Sequence, residues 1–313
     1  MNKKYDVYGI DDIGINLHYN LTNQEFKNLN IIDKTELNTT ERNKILGQLL
    51  SKKFDTKISG YVLKIFKALS CLGIKTTINS KIGLDEFGFA IQKELEKTRI
   101  DLNLKSGMGC SSCKIIFENN KEIYSKKKHE GISKHMSYED INIIKLKESK
   151  TIILTSEMFS TDKKTQITKF VTRISKENNV KIVFLINNIN YIIKSQIAKK
   201  IISESDILIS PFENAYLLYN ESNKIKLLNL MGKTSAIKIL ITAKEFLVSK
   251  GNTNLSISKT NKKSKYEHQF FCAGFLFGFL EDYGLEKSAI IGSYLAGKEK
   301  IDDSILDELH QLM

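Results

Sequence analysis

The stretch KTTINSKIGLDEFGFAIQKELEKTRI, Lys75–Ile100, holds the pattern of the whole chain in miniature. A short apolar, β-branched run stops at Gly83, and an amphipathic stretch begins at once on Asp85 and Glu86. Acidic groups at that point suit the positive end of a helix. The reading is therefore strand, tight turn, helix.

Outward from there the same alternation recurs. YDVYGI lies before it, and TIILTS, VKIVFLI, DILIS and KILITA lie after it, separated by helical stretches such as ITKFVTRISKENN and IIKSQIAKKII. Short apolar strands separated by helices of this length mean βαβ units and a mostly parallel sheet. Two segments break the pattern. Residues 16–50 and 102–124 alternate polar and apolar positions, with hairpin-like interruptions at SGMG and ENNKE. They read as antiparallel strands set apart as a small lid, inserted into a single domain spanning 1–313.

The 313 residues are 41% hydrophobic, enough for a substantial core. No window approaches eighteen consecutive apolar residues, and MNKKYDVYGI leads straight into a strand, so the expectation is a cytoplasmic protein with no membrane partner. Four cysteines include one CxxC, at Cys110 and Cys113, with no second pair and no histidine pair to complete a zinc set. No metal site is assigned. The net charge of +12 accompanies a composition crowded with Ile, Asn and Lys, and the lysines are scattered apart from runs at 125–128 and 259–265. A solvated basic surface explains that better than nucleic-acid binding.

SKIGLDEFG at Ser80–Gly88 resembles the G-K-V-G-x-D-x-F-G signature of the ribokinase-like (PfkB) carbohydrate and nucleoside kinases. Further parts follow that family's order: DVYGIDDIGIN at the start, SGMGCSSCKIIFENNKE in the lid, DILIS, and the terminal AGFLFGFL. YSKKKHEGISKHMSYEDI is most similar to the adenosine-kinase branch. The resemblance spans nearly the entire chain. It implies a ribokinase-like three-layer αβα sandwich with a mainly parallel central sheet and a small β lid.

It also implies where the family's chemistry should sit. The G-A-G-D motif, whose free N–H groups and helix end hold the transferring phosphoryl group and whose aspartate is the base, falls on Tyr266, Glu267, His268 and Gln269. All four residues differ. Glutamine takes no proton near neutral pH, and Glu267 brings negative charge to an anion hole. His268 is the nearest alternative base. The ribose-binding carboxylate position falls on Asn16, with Asp11 and Asp12 offset nearby. The Gly-Gly turn becomes Ser59-Gly60, its asparagine becomes Lys64, and the magnesium-organising N-x-x-E positions become Pro211 and Asn214.

The resulting expectation is a PfkB-family, adenosine-kinase-like protein that has lost phosphotransfer and serves in ligand or partner binding. The ligand would be a nucleoside or sugar, and the lid edges suit a homodimer. One alternative is an active kinase acting on a nucleoside or sugar hydroxyl, which would require ATP and Mg2+. The other is a binder of nucleic acid or acidic partners through the basic surface.

Overall fold

The computed structural model describes residues 3–29, 31, 34–119, 122–259 and 264–312. Its strands are β1 (Tyr5–Ile10), β2 (Gly14–Asn20), β3 (Asp55–Ser59), β4 (Thr76–Gly83), β5 (Asp101–Gly107), β6 (Ser112–Asn119), β7 (Glu122–His129), β8 (Ser149–Thr155), β9 (Lys181–Leu185), β10 (Ile207–Pro211), β11 (Ile237–Ile241), β12 (Glu245–Lys250) and β13 (Thr253–Ser258). Its helices are α1 (Asn23–Asn28), α2 (Thr39–Gln48), α3 (Tyr61–Cys71), α4 (Glu86–Leu95), α5 (Ile143–Lys147), α6 (Asp162–Glu177), α7 (Gln196–Glu204), α8 (Phe212–Tyr219), α9 (Lys224–Leu230), α10 (Glu267–Leu280), α11 (Leu285–Ala296) and α12 (Ile305–Leu312).

The main sheet runs β13-β12-β11-β10-β9-β8-β1-β4-β5. From β11 through β5 every neighbour is parallel, and β12 and β13 add an antiparallel edge. Alternate strand residues feed two cores, as the period of two requires. Val7, Ile153, Val183 and Ile239 face one, with α3, α10 and α11; Tyr8, Ile152, Phe184 and Leu240 face the other, with α6, α7 and α9. Burial on both faces is why these strands read as continuous apolar runs.

The smaller sheet is ordered β3-β2-β6-β7, with β2 and β6 parallel and the outer pairs antiparallel. The lid therefore differs from the segments expected, 16–50 and 102–124. Residues 101–107 form β5, the parallel edge of the main sheet, because a half-buried edge strand shows the same polar–apolar alternation as a lid strand. Residues 23–28 and 39–48 are helical, each opened by a capping box, Thr22 with Glu25 and Asn38 with Glu41. Residues 55–59 and 125–129, outside the expected bounds, complete the lid. SGMG is the passage from β5 toward β6 and not a hairpin. The expected ENNKE turn centres on Asn120 and Lys121, which lie outside the described residues, as do Lys262 and Lys263.

The small residues of FFCAGFLFGFL meet a helix instead of the sheet. A Cβ on Gly274 would lie 2.7 Å from the Ile291 carbonyl oxygen, and one on Gly278 would lie 2.8 Å from Ser288 Cα, so α10 and α11 pack backbone to backbone. No helix among the described residues is long and apolar enough to cross a membrane.

Candidate functional site

The chain runs from β1 to β4 and β5 on one side, and then to β8 and its successors on the other. This reversal places a crevice at the carboxyl ends of β1 and β8, where open parallel sheets bind ligands. Asp11 and Asp12 leave β1 there, and Glu157 follows β8.

Asp11 turns inward. Its Oδ2 accepts the Leu63 N–H at 2.7 Å, capping α3 from a distant part of the chain. Gly60 makes this possible, because a side chain at that position would collide with the Asp11 carboxylate. Burial pushes the Asp11 carboxyl up to about 8, opposed by the Leu63 N–H and reinforced by the charges of Glu157 and Asp12. Burial raises the Glu157 carboxyl as well, and Asp12 adds to that rise. Asp12, expected at the substrate, is instead paired with Lys164, whose side chain is almost wholly buried, and it does not line the cleft described below.

The start of α10 is closed by its own chain. Ser264 Oγ accepts the Tyr266 N–H at 3.1 Å, and the Ser264 carbonyl accepts the Glu267 N–H at 3.3 Å. Glu267 occupies the positive helix end and pairs with Lys259 at 2.8 Å, with His268 Nε2 at 4.0 Å. His268 faces the ends of β9, β10 and β11 across a space of only about 10 Å³, with Tyr61, Ile186, Pro211 and Ile241 around it. Burial lowers the His268 pKa, with Glu267 partly opposing. Asn214 spends its amide on the Ile186 carbonyl at 3.0 Å.

On the lid side a cleft of about 700 Å³ opens. It brings together Asn16, Gly60, Lys64, Tyr266 and Gln269, all expected at the site from sequence. Lys64 Nζ sits 4.0 Å from the Tyr266 ring centroid, a cation–π contact that positions the ammonium without neutralising it. Asn16 Oδ1 is buried without a hydrogen-bond partner among the described residues. Gln269 can donate and accept hydrogen bonds here but cannot serve as a base.

Sequence reading missed the character of this cleft. Eight of its lining residues are lysines and one, Glu94, is acidic; Glu94 is already paired with Lys97 at 2.6 Å. The lysines called scattered in sequence converge in space. The cross-strand register shows how: Lys57, Asn16 and Lys114 stand directly opposite one another across β3, β2 and β6, and Lys126 stands opposite Ile116 one step along the same face. The apolar residues of the other face, Leu17 and Phe117 among them, are buried, with the Phe26 ring tilted against Phe117 at 5.1 Å between centroids. Alternation in β6 was the available signal for Lys114, but its partners come from three other strands. Glu157 had no local signal at all. No group of three or more His, Cys, Asp or Glu side chains among the described residues is placed to hold a metal ion.

No family model matches the sequence, and no curated protein matches it. Solved structures do match the fold. The adenosine kinase from Sinorhizobium meliloti superposes with a TM-score of 0.79 at 15% identity, over 99% of this chain and 100% of that one. A probable sugar kinase protein from Rhizobium etli CFN 42 superposes at 0.81 and 14% identity, over 100% and 99%. A PfkB protein from Polaromonas sp. JS666 superposes at 0.80 and 12%, over 99% and 100%. The ribokinase-like fold is thereby established for the whole chain, and at these identities the fold is what the likeness carries.

Proposed function

We propose that this chain is a PfkB-type, adenosine-kinase-like protein that has lost phosphotransfer and retains the lid-covered cleft as a ligand-binding site. The observation that carries this reading is the start of α10. There the Glu267 carboxylate, at the position the sequence resemblance gives the anion hole, is tied to Lys259, and the space between His268 and Pro211 is about 10 Å³. A triphosphate needs both the positive end and the room. The fold likeness to adenosine and sugar kinases supports the family assignment, and the motif order read from the sequence supports it independently.

The test is ATP-dependent phosphorylation across a panel of nucleosides and sugars, with Gln269→Ala as the control for contaminating kinases. No product is the expected result. Robust turnover abolished by Gln269→Ala would overturn the proposal.

A second reading, a working kinase with His268 as base, is favoured by one feature: burial keeps its imidazole neutral and able to accept a proton. Turnover lost specifically in His268→Gln would support that reading instead.

A further inference from the structure

We propose that the cleft beneath the smaller sheet binds a small phosphorylated metabolite carrying two or more negative charges, in the class of sugar bisphosphates and nucleoside phosphates, and discriminates against the neutral parent compounds. The inference rests on assigning ligand binding to this cleft, but not on the loss of phosphotransfer.

Three observations carry it. The first is the imbalance of charge. Some lysines elsewhere in the molecule are paired with carboxylates, as Lys81 is with Asp140, Lys145 with Asp101, Lys224 with Glu245 and Lys233 with Asp206, and others stand singly on the convex surface. The cleft instead gathers eight lysines against one acid, Glu94, which is paired with Lys97. Lys57, Lys114 and Lys126 on the sheet form no ion pair among the described residues; neither do Lys64 and Lys67 of α3, Lys93 of α4, or Lys265. A solvated convex surface can disperse such charges, but a concave wall that gathers them sums their fields toward its centre.

The second observation is burial. Lys64 and Lys114 are half-buried, and burial lowers both pKa values, with neighbouring lysines adding to the effect. Their ammonium groups are thus held in a place that disfavours their charge, which an anion would offset. The third is the shape and polarity of the wall. About 700 Å³ suits a molecule of nucleotide size, the unpartnered Asn16 Oδ1 can accept a ligand hydroxyl, and the Tyr266 ring offers an apolar face. Rigid placement on strands and helices separates this wall from a loose basic tail that would bind any polyanion.

The experiment is calorimetric titration of the intact protein, at low and then physiological ionic strength. The probes are fructose 1,6-bisphosphate, adenosine 5′-monophosphate, inorganic pyrophosphate, fructose, adenosine and a single-stranded oligothymidylate. We expect the phosphorylated organic probes to bind at least about tenfold more tightly than their neutral parents, and added salt to weaken them. Lys114→Gln and Lys64→Gln should each weaken binding roughly tenfold or more. The exposed Lys126→Gln should do so in the same direction, and it keeps the test informative should the half-buried variants misfold. Lys200→Gln, on α7 away from the cleft, should change nothing.

Equal affinity for charged and neutral forms, or insensitivity to all three cleft variants, overturns the proposal. So does oligothymidylate binding tighter than every small probe, which would make the cleft part of a nucleic-acid surface. Pyrophosphate binding as tightly as the organic phosphates would overturn the metabolite class. Phosphorylation of a probe by ATP would overturn the loss of phosphotransfer and leave anion binding in place, so the two proposals fail separately.

Discussion

Replacing Asp11 with asparagine should remove a large part of the pH dependence of stability between pH 4 and pH 8. Asp11 is 5% exposed, and burial pushes its carboxyl up to about 8, against about 4 in an unfolded chain. The folded state therefore holds a proton that the unfolded state releases, so stability from this group is present below pH 4 and declines as pH rises through 8. A shift of about four units at roughly 1.4 kcal/mol each sets a ceiling on the order of 5 kcal/mol over the window. Roughly 2–3 kcal/mol of that falls between pH 6 and pH 8. The asparagine of the variant keeps an oxygen that can accept the Leu63 N–H, so the cap on α3 survives while the titration disappears. The assay is urea unfolding of both proteins at pH 5, 6, 7 and 8, scored as the difference between them at each pH, which cancels the histidines and Glu157 to first order. The variant should gain on the parent steadily as pH rises. Parallel profiles would refute the buried-carboxyl reasoning, and a parent that gains relative to the variant would reverse its sign.

Gly274→Ala should cost about 1–3 kcal/mol in thermal or urea melts, because its methyl would lie 2.7 Å from the Ile291 carbonyl oxygen and force α10 from α11. Gly47→Ala, on α2 with nothing within 4 Å, should be neutral or stabilising in the same melts. Lys164→Ala should destabilise by about 3 kcal/mol, leaving Asp12 without its buried partner, and Lys164→Met should recover part of that by restoring the packed stem. Gln269→Asp should create no detectable ATP-dependent phosphorylation in a radiolabel assay. A general base supplies roughly 10²–10⁴-fold, while the electrostatic stabilisation of the transferring group is commonly the larger contribution, and under the proposed function Glu267 would still oppose it.

The α/β class and the order of most elements were legible along the chain. Strands buried on both faces are apolar throughout, and the helices between them are amphipathic, so composition alone separates the two. Asp85 as the cap of α4 was readable too, since a cap is a local interaction: its carboxylate accepts the Gly88 N–H at 2.9 Å. The antiparallel pair β12 and β13 was passed over, although each strand is as long as β1. The lid was misplaced for a different reason. Alternation states that one face of a strand is wet, but not which sheet the strand joins, so β5 and the lid strands look alike in sequence.

The site divides along the same line. Sequence by itself singled out Asn16, Gly60, Lys64, Tyr266 and Gln269, which line one cleft. Only the tertiary structure decided what those positions do. Asp11 and Asp12 are adjacent in sequence, yet one caps α3 and the other pairs with a lysine 152 residues away. The lysines that define the cleft come from three strands, two helices, the turn after α4 and the approach to α10, none of them unusual in its own segment. Charge acts through space and falls off with distance, so its meaning is fixed by which groups the fold brings near one another and which counter-charges it leaves out.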